Sequence, residues 1–419
     1  MGTCRGGPRL RRARPPPPVR EAKNPHPTQA MTHRHLFQRA AAADSDRLHF
    51  AAHSHHWWLD AALEGHARAA ELAVERLDRK WEVVFGELMP RLQERVARRI
   101  GWPDPSGIAF APSTHELLLR LVSGIERGAR PLRVLTTDAE FHAARRQFLR
   151  WQEAGEAAIE VVAAEPFASF SERMEAAIAA GGHDLVLLSQ VFFDSGFVVP
   201  DLAALVSVVP DDRTEVLIDG YHSFNALPVD LASVASRAFF TSGGYKYAMS
   251  GEGACFLACP PGRVPRPVNT GWFAGFGALE TFEDRVGYAE DGSRFLGATL
   301  DPTGLFRLDG ALGALDEAGL GPAEIHAWVE DLQRQAIEAL PPTGALSRER
   351  LLPDSGERGH FLCFREPEAG ALHAELMERG VWTDWRRDRL RFGFALYHEP
   401  ADIEALTGHL AAVRAGRGA

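Results

Sequence analysis

Thr241-Ser-Gly-Gly-Tyr-Lys-Tyr-Ala-Met-Ser-Gly-Glu-Gly-Ala254 is the stretch on which the reading of this chain turns. It surrounds Lys246, one of three lysines in 419 residues whose Lys and Arg together number 46. Cationic surface positions are therefore filled by arginine, and a lysine set among glycines reads as chemistry. Upstream, the apolar run Val216-Leu-Ile ends at Asp219, so a carboxylate closes one expected strand and the lysine follows the next.

Outward from that stretch, short apolar or β-branched runs alternate with helical segments. Strands are expected at 108–110, 133–136, 159–162, 185–188, 216–218, 238–241 and 255–258, with helices at 116–125, 145–154, 170–180 and 202–208. This alternation predicts an α/β fold with a mostly parallel sheet. Active residues of such sheets lie beyond the carboxyl ends of the strands, which is where Asp219 falls. Leu72, Val74, Leu77, Trp81, Val84, Leu88, Leu92 and Val96 recur at helical spacing and predict one or two amphipathic helices over 60–100. Residues 260–310, rich in Gly and Pro, read as a bridge carrying site loops. Beyond it, a helix near 321–340, strands at 361–364 and 390–394 and a helix from 401 predict a smaller α+β domain. The expected division is a tail over 1–30, an arm with helices over 31–100, a large domain over 101–305 and a small one over 306–419.

The bulk numbers narrow the setting. Hydrophobic content of 45% with 24% charge suits a globular protein with a large core. Net charge is −10, yet the first 30 residues hold seven Arg or Lys against Glu21, so they carry +6 and the remainder −16. An acidic body argues against a nucleic-acid partner. No apolar run approaches the length of a membrane span, so no membrane association is expected. Cys4, Cys255, Cys259 and Cys363 show neither a disulfide framework nor zinc spacing, and a reducing, cytoplasmic setting is expected. Arg9-Leu-Arg-Arg-Ala-Arg-Pro-Pro-Pro-Pro-Val-Arg20 cannot bury enough apolar surface to fold. Residues 1–30 are expected to be a disordered tail or an over-extended start before Met31. His53, His55 and His56 cluster without a carboxylate or cysteine to complete a site, so no metal is expected.

A lone lysine after one strand and a carboxylate at the end of its neighbour suit pyridoxal 5′-phosphate (PLP). The lysine amine bonds the cofactor covalently, and the carboxylate keeps the pyridine nitrogen protonated so that the ring can accept electrons. Singly, Lys246 is explained as a loop lysine and Asp219 as a turn cap. Together, with His222 close behind the aspartate and Gly243, Gly244, Gly251 and Gly253 around the lysine, they point to the cofactor.

These motifs resemble fold-type I PLP enzymes, within them the class V aminotransferase family, and most nearly kynureninases. Tyr245-Lys-Tyr247 followed by Gly251-Glu-Gly-Ala254 is similar to the family's Tyr-Lys-Tyr-Leu-Asn-x-Gly-x-Gly. Asp219-Gly-Tyr-His222 resembles its Asp-x-x-His, and Gly271-Trp-Phe273 its Gly-Trp-Phe. The resemblance implies a PLP-transferase large domain like that of aspartate aminotransferase, and a homodimer whose sites are completed by the neighbouring subunit. It implies that Lys246 binds the cofactor and moves protons at the α-carbon, that Asp219 pairs with the ring nitrogen, and that His222 lies close to the ring. Tyr245 then contacts the phosphate and helps as an acid, or is simply a packed aromatic. Ser113 and Thr114, just before a helical run, make an anion site, or an N-cap with Glu116 completing a capping box; both can hold. Phe141 falls where the family stacks a ring on the cofactor, with a plain core phenylalanine as the alternative. Arg391 falls at the substrate-carboxylate arginine, with Arg386, Arg387 and Arg389 close by. Trp272 is expected to line the aryl pocket and touch the cofactor, with a plain core residue as the alternative; Thr299 reaches across the dimer and His53 lies at the substrate edge. Two positions depart from the family: Phe192 stands where an asparagine is usual, and Ala298 interrupts the Gly-Thr before Thr299.

The expected activity is hydrolysis of the β–γ carbon bond of an aryl-ketone amino acid, as in kynurenine to anthranilate and alanine. Transamination, epimerisation or β-elimination are the alternatives within the family, and a non-catalytic scaffold the alternative outside it. Cysteine desulfuration needs a nucleophilic cysteine on a loop before the carboxylate arginine, and residues 365–390 contain none. Cys363 lies in an apolar strand and is expected to be buried and inert.

Overall fold

The apolar runs assemble into one central sheet. The computed structural model describes residues 32–278 and 285–416, so the expectation for residues 1–30 lies outside the described residues. Helices α1 (Asp60–Arg76) and α2 (Met89–Ile100) precede the sheet. Its strands are β1 (Ile108–Ala111), β2 (Leu132–Thr137), β3 (Ala157–Val162), β4 (Leu185–Ser189), β5 (Glu215–Asp219), β6 (Ala238–Gly243) and β7 (Cys255–Ala258). They lie in the order β1-β7-β6-β5-β4-β2-β3. The pairings from β6 to β3 are parallel, while β7 runs antiparallel to both neighbours. Helices α3 (Thr114–Ser123), α4 (His142–Glu153) and α5 (Phe170–Ala180) follow β1, β2 and β3. Every residue of β4 is buried, and a strand covered on both faces has no polar side to alternate. Because all strands but β7 point the same way, Ala111, Thr137, Ser189, Asp219 and Gly243 end along one edge.

Two expectations change. The last part of the bridge expected over 260–310 is instead the start of a helix, α6 (Thr303–Glu317). Gly304, Gly310 and Gly313 lower its helical propensity and interrupt its apolar pattern. They serve contact instead: a Cβ at Gly310 would lie 2.3 Å from the Ala61 carbonyl oxygen of α1. Val74 and Leu77 were placed on the buried helical face, but they are 79% and 67% exposed. Val74 lies inside α1 about 200° around the helix from the buried Leu72, on its outer face, while Leu77 falls past the helix end at Arg76, where the backbone turns with φ 52°.

Downstream come α7 (Pro322–Glu338), β8 (Leu351–Leu352), β9 (Phe361–Arg365), α8 (Ala369–Glu378), β10 (Asp384–Arg386), β11 (Arg389–Gly393) and α9 (Pro400–Gly416). The strands form an antiparallel sheet in the order β10-β11-β9-β8. Leu362, Phe364, Leu390 and Phe392 pack with Val329, Leu332, Leu372 and Leu406 in a hydrophobic cluster separate from the one around the central sheet. This second cluster anchors β11, the strand that carries Arg391. Among the described residues, no helix is long and apolar enough to cross a membrane.

Candidate active site

Lys246 sits on the loop that leaves β6 and returns as β7. The loop is closed by Gly244 N–H to Ala254 O (2.9 Å), Ser250 N–H to Gly244 O (3.0 Å) and Met249 N–H to Lys246 O (2.9 Å). Gly251 has φ +73°, and a Cβ there would strike the Trp58 ring at 2.1 Å, so glycine is required both for the turn and for the close approach. From outside, Leu59 N–H donates to Met249 O (3.1 Å) and Asn225 Nδ2 to Tyr247 O (2.6 Å). The lysine is thus presented from a braced backbone.

Its side chain enters a cavity of about 300 Å³ whose lining includes Ser113, Thr114, Phe141, Asp219, His222 and Tyr245. Lys246 Nζ lies 2.7 Å from His222 Nε2 and faces the rings of Phe141, Tyr221 and Tyr245 at 5.1, 4.9 and 5.6 Å. Burial draws its pKa down to about 7, with Arg391 adding to the effect and Asp219 opposing it. Burial, Lys246 and Arg391 hold His222 far below the usual imidazole range. His222 is therefore neutral, its Nε2 shares a hydrogen bond with the amine, and its buried Nδ1 has no partner among the described residues. Asp219 Oδ1 accepts from Tyr221 N–H at 2.9 Å. Its other oxygen makes no hydrogen bond among the described residues. Burial raises the Asp219 pKa, against the pull of the Tyr221 N–H and Lys246.

Ser113 caps α3, its Oγ accepting from Glu116 N–H at 3.2 Å. The expected capping box does not form, because the Glu116 carboxylate turns to Arg120 Nη2 at 2.6 Å. Phe141 is a cavity wall, and its ring meets Phe193 edge-on at 5.5 Å.

Arg391 and His53 lie beside this cavity, outside its lining. Arg391 Nη2 bonds Asp384 Oδ2 at 2.7 Å and Nη1 donates to Phe193 O, while its buried Nε has no partner among the described residues. His53 stacks on Phe361 at 4.8 Å with both ring nitrogens unpartnered, its Nε2 being 3.9 Å from Asp384 Oδ2. The other two histidines diverge: His55 faces the Tyr245 ring at 5.7 Å, and His56 Nδ1 bonds Trp57 O at 2.7 Å. Trp272 and Thr299 are joined to each other, Nε1 to Oγ1 at 3.2 Å, and within one chain neither lines the cavity. Phe192, expected at a cofactor-facing position, is instead buried against Phe170. Val191 and Phe193 face the cavity in its place.

Sequence reasoning missed three residues. Tyr221 lines the cavity with its hydroxyl 3.6 Å from Cys255 Sγ; it stood inside the Asp219–His222 motif and could have been found there. Glu140 accepts from Thr137 Oγ1 (2.6 Å), Ser189 Oγ (2.6 Å) and Ser189 N–H (3.1 Å), and burial pushes it up to about 7. Asp384, the Arg391 partner, had no local signal. Cys363 is buried as expected, its thiol donating to Asp194 O at 3.1 Å and pushed up to about 12.

Comparisons with known proteins agree with the motifs. Residues 348–410 match the family model of the kynureninase C-terminal domain. A kynureninase of Deinococcus radiodurans is 31% identical over 237 residues, 55% of this chain and 56% of that protein. One from Pseudomonas fluorescens is 28% identical over 217 residues, 50% of this chain and 51% of that protein. The chain thus spans about half the length of the curated relatives it matches. Among solved structures, the cystine C–S lyase C-DES in complex with cysteine persulfide aligns with TM-score 0.74 and 18% identity, over 88% of this chain and 98% of that one. A C-DES mutant with glycine covalently linked to its PLP cofactor gives 0.72 and 19%, over 91% and 99%. The Escherichia coli cysteine desulfurase CsdA gives 0.72 and 17%, over 91% and 97%. These likenesses show the fold: a PLP-transferase-like α/β sheet with a smaller C-terminal part built on an antiparallel sheet.

Proposed function

We propose that this chain is a PLP-dependent enzyme acting on an amino acid, and that its reaction is kynureninase-like hydrolysis of the β–γ carbon bond of an aryl-ketone substrate. The observation that carries the proposal is the environment of Lys246. An amine buried, held near neutrality and hydrogen-bonded to a neutral histidine is a nucleophile at physiological pH. A scaffold has no use for it. Half-length similarity to two kynureninases and the C-terminal family match favour this reaction over others on the same fold. The buried thiol of Cys363 speaks against desulfuration.

The cavity fits PLP. The free Asp219 oxygen suits a protonated ring nitrogen, the His222 Nδ1 is an unpartnered buried nitrogen at its wall, and Phe141 and Tyr221 offer faces to a planar ring. Ser113, Thr114 and the first N–H groups of α3 suit the phosphate. When bound, PLP supplies a ring that accepts the electrons left at the substrate α-carbon. Lys246 would hold it and then carry a proton to and from that carbon, with Tyr245 beside it as a hydroxyl donor. The Arg391 Nε would take the substrate carboxylate, with Asp384 fixing the guanidinium plane and His53 closing that side.

The proposal includes a homodimer and a cytoplasmic setting. Trp272 (42% exposed) and Phe276 (53%) form a surface aromatic patch with Trp81 and Phe85, which suits burial against a second copy. It also includes the division into an arm with helices over 31–100, a large domain over 101–305 and a small one over 306–419. The test is L-kynurenine added to cofactor-saturated protein. Release of fluorescent anthranilate with alanine supports the reaction. Turnover of other amino acids with none of kynurenine reassigns the site to another class V reaction.

A further inference from the structure

Beside the Lys246 cavity runs a groove of about 520 Å³, whose polar lining is His142, Arg145, Arg146, Arg150 and Glu153 of α4 and Arg387 of the β10–β11 turn, with Leu149 the one apolar side chain among them. The polar α4 residues fall at i, i+3, i+4, i+8 and i+11, one face of a helix whose other face buries Ala144 and Phe148. Solvated helix faces usually alternate charge; this one places like charges at successive turns, Arg146 and Arg150 being four apart, which is unfavourable without a counter-charge. Arg150 meets Glu153 at 3.8 Å. Arg145, Arg146 and Arg387 make no ion pair or hydrogen bond among the described residues. Arg387 also holds φ +52°, a conformation that favours glycine or asparagine. All of this stands on a chain of net charge −10.

The groove adjoins the cavity. Phe141 and Ala143 line the cavity, His142 between them lines the groove, and the His142 ring lies 5.5 Å from that of Phe193, a cavity wall. The N–H groups of the first turn of α4 add partial positive charge at the junction.

We propose that this groove is a second ligand site, binding an oxyanion, either a carboxylate or a phosphate group. The anion comes from solution or is the acidic end of a ligand seated in the cavity. Planar guanidinium groups unengaged by protein carboxylates suit either oxyanion. The site goes beyond the cofactor reading and does not depend on which reaction the cavity performs.

The test is titration of inorganic phosphate into cofactor-saturated protein, followed by ³¹P line broadening. The wild type is expected to bind phosphate saturably and more weakly as NaCl rises. The Arg145→Ala/Arg387→Ala double variant is expected to weaken binding at least tenfold, and the Arg334→Ala variant on α7 to leave it unchanged. Arg387→Gly, which relieves the strained turn, should fold at least as well as the wild type and bind several-fold more weakly. Spectral titration with O-phosphoserine, glutamate and glutamine separates the sources. A preference for the acidic amino acids that the double variant erases assigns the groove to the ligand's own acid group. Equal affinities assign it to a free anion. Absence of saturable phosphate binding, or binding indifferent to Arg145 and Arg387, overturns the proposal. If no Lys246-dependent cofactor band forms while arginine-dependent phosphate binding persists, the cofactor reading fails and the groove stands.

Discussion

The Lys246 loop and the Trp272–Thr299 pair were both picked out by the same family resemblance, yet the fold treats them oppositely. Around Lys246, residues from the ends of β1, β2, β5 and β6 converge on a buried cavity within one chain. Trp272 and Thr299 hydrogen-bond to each other at an exposed surface, away from that cavity. A parallel sheet brings distant motifs to one edge regardless of their spacing in sequence. A loop residue that needs a second copy gains no such closure from its own chain. The first set should therefore show large effects at any protein concentration, and the second smaller ones that depend on association.

Breaking the first set gives the largest changes. Asp219→Asn is expected to lower kcat by about 10²–10⁴-fold, the range for a group that controls protonation in the transition state, with the circular dichroism spectrum unchanged. A rate within threefold of wild type would remove Asp219 from the chemistry. Arg391→Lys keeps a charge for Asp384 but loses the planar fork. It should cut kcat/KM by about 10²-fold, ~2.7 kcal/mol of transition-state binding; steady-state kinetics decide. Trp272→Ala belongs to the second set. Cofactor affinity should fall by about tenfold, ~1.4 kcal/mol, and recover as protein concentration rises, as equilibrium dialysis over a dilution series would show. A loss independent of concentration would place Trp272 in its own chain's site.

The amine itself gives a pH test. Lys246 has a folded pKa of about 7 against an ordinary 10.5. Between these values the unfolded chain binds a proton that the folded chain does not, so stability rises with pH across that window and is flat below about 7. Lys246→Met should remove that slope, a difference on the order of a few kcal/mol between pH 7 and 10, read from urea midpoints of cofactor-free protein. Glu140 has the opposite sign. Its pKa rises from 4.5 to about 7, so its contribution is complete below about 4.5 and lost as pH climbs to 7. Glu140→Gln should flatten that interval by a smaller amount.

What could be read from sequence follows from the same physics. Strands buried on both faces, such as 185–189, appear as unbroken apolar runs. Lys246, Asp219, His222, Ser113, Thr114, Phe141 and Tyr245 stood in local motifs, and the fold gathers all of them. Helix α6 escaped because its glycines serve close contacts, Gly310 with α1, Gly304 with the Gly253 backbone and Gly313 with Arg95, rather than helical propensity. Leu77 misled because a helical period carries no mark of where the helix stops, and Val74 because two positions from Leu72 it faces the opposite side of α1. Asp384 meets Arg391 across the turn between β10 and β11, and Glu140 meets Ser189 at the end of β4; such cross-strand pairings leave no local pattern. Tyr221 was legible and was overlooked beside stronger neighbours.

The measurement closest to the central claim is the visible absorption spectrum of purified protein mixed with PLP, wild type beside Lys246→Ala. The account predicts a band in the wild type that forms faster as pH rises through about 7, shifts on adding L-kynurenine, and is absent from the variant. A band of equal intensity in both proteins, or none in either, would contradict it.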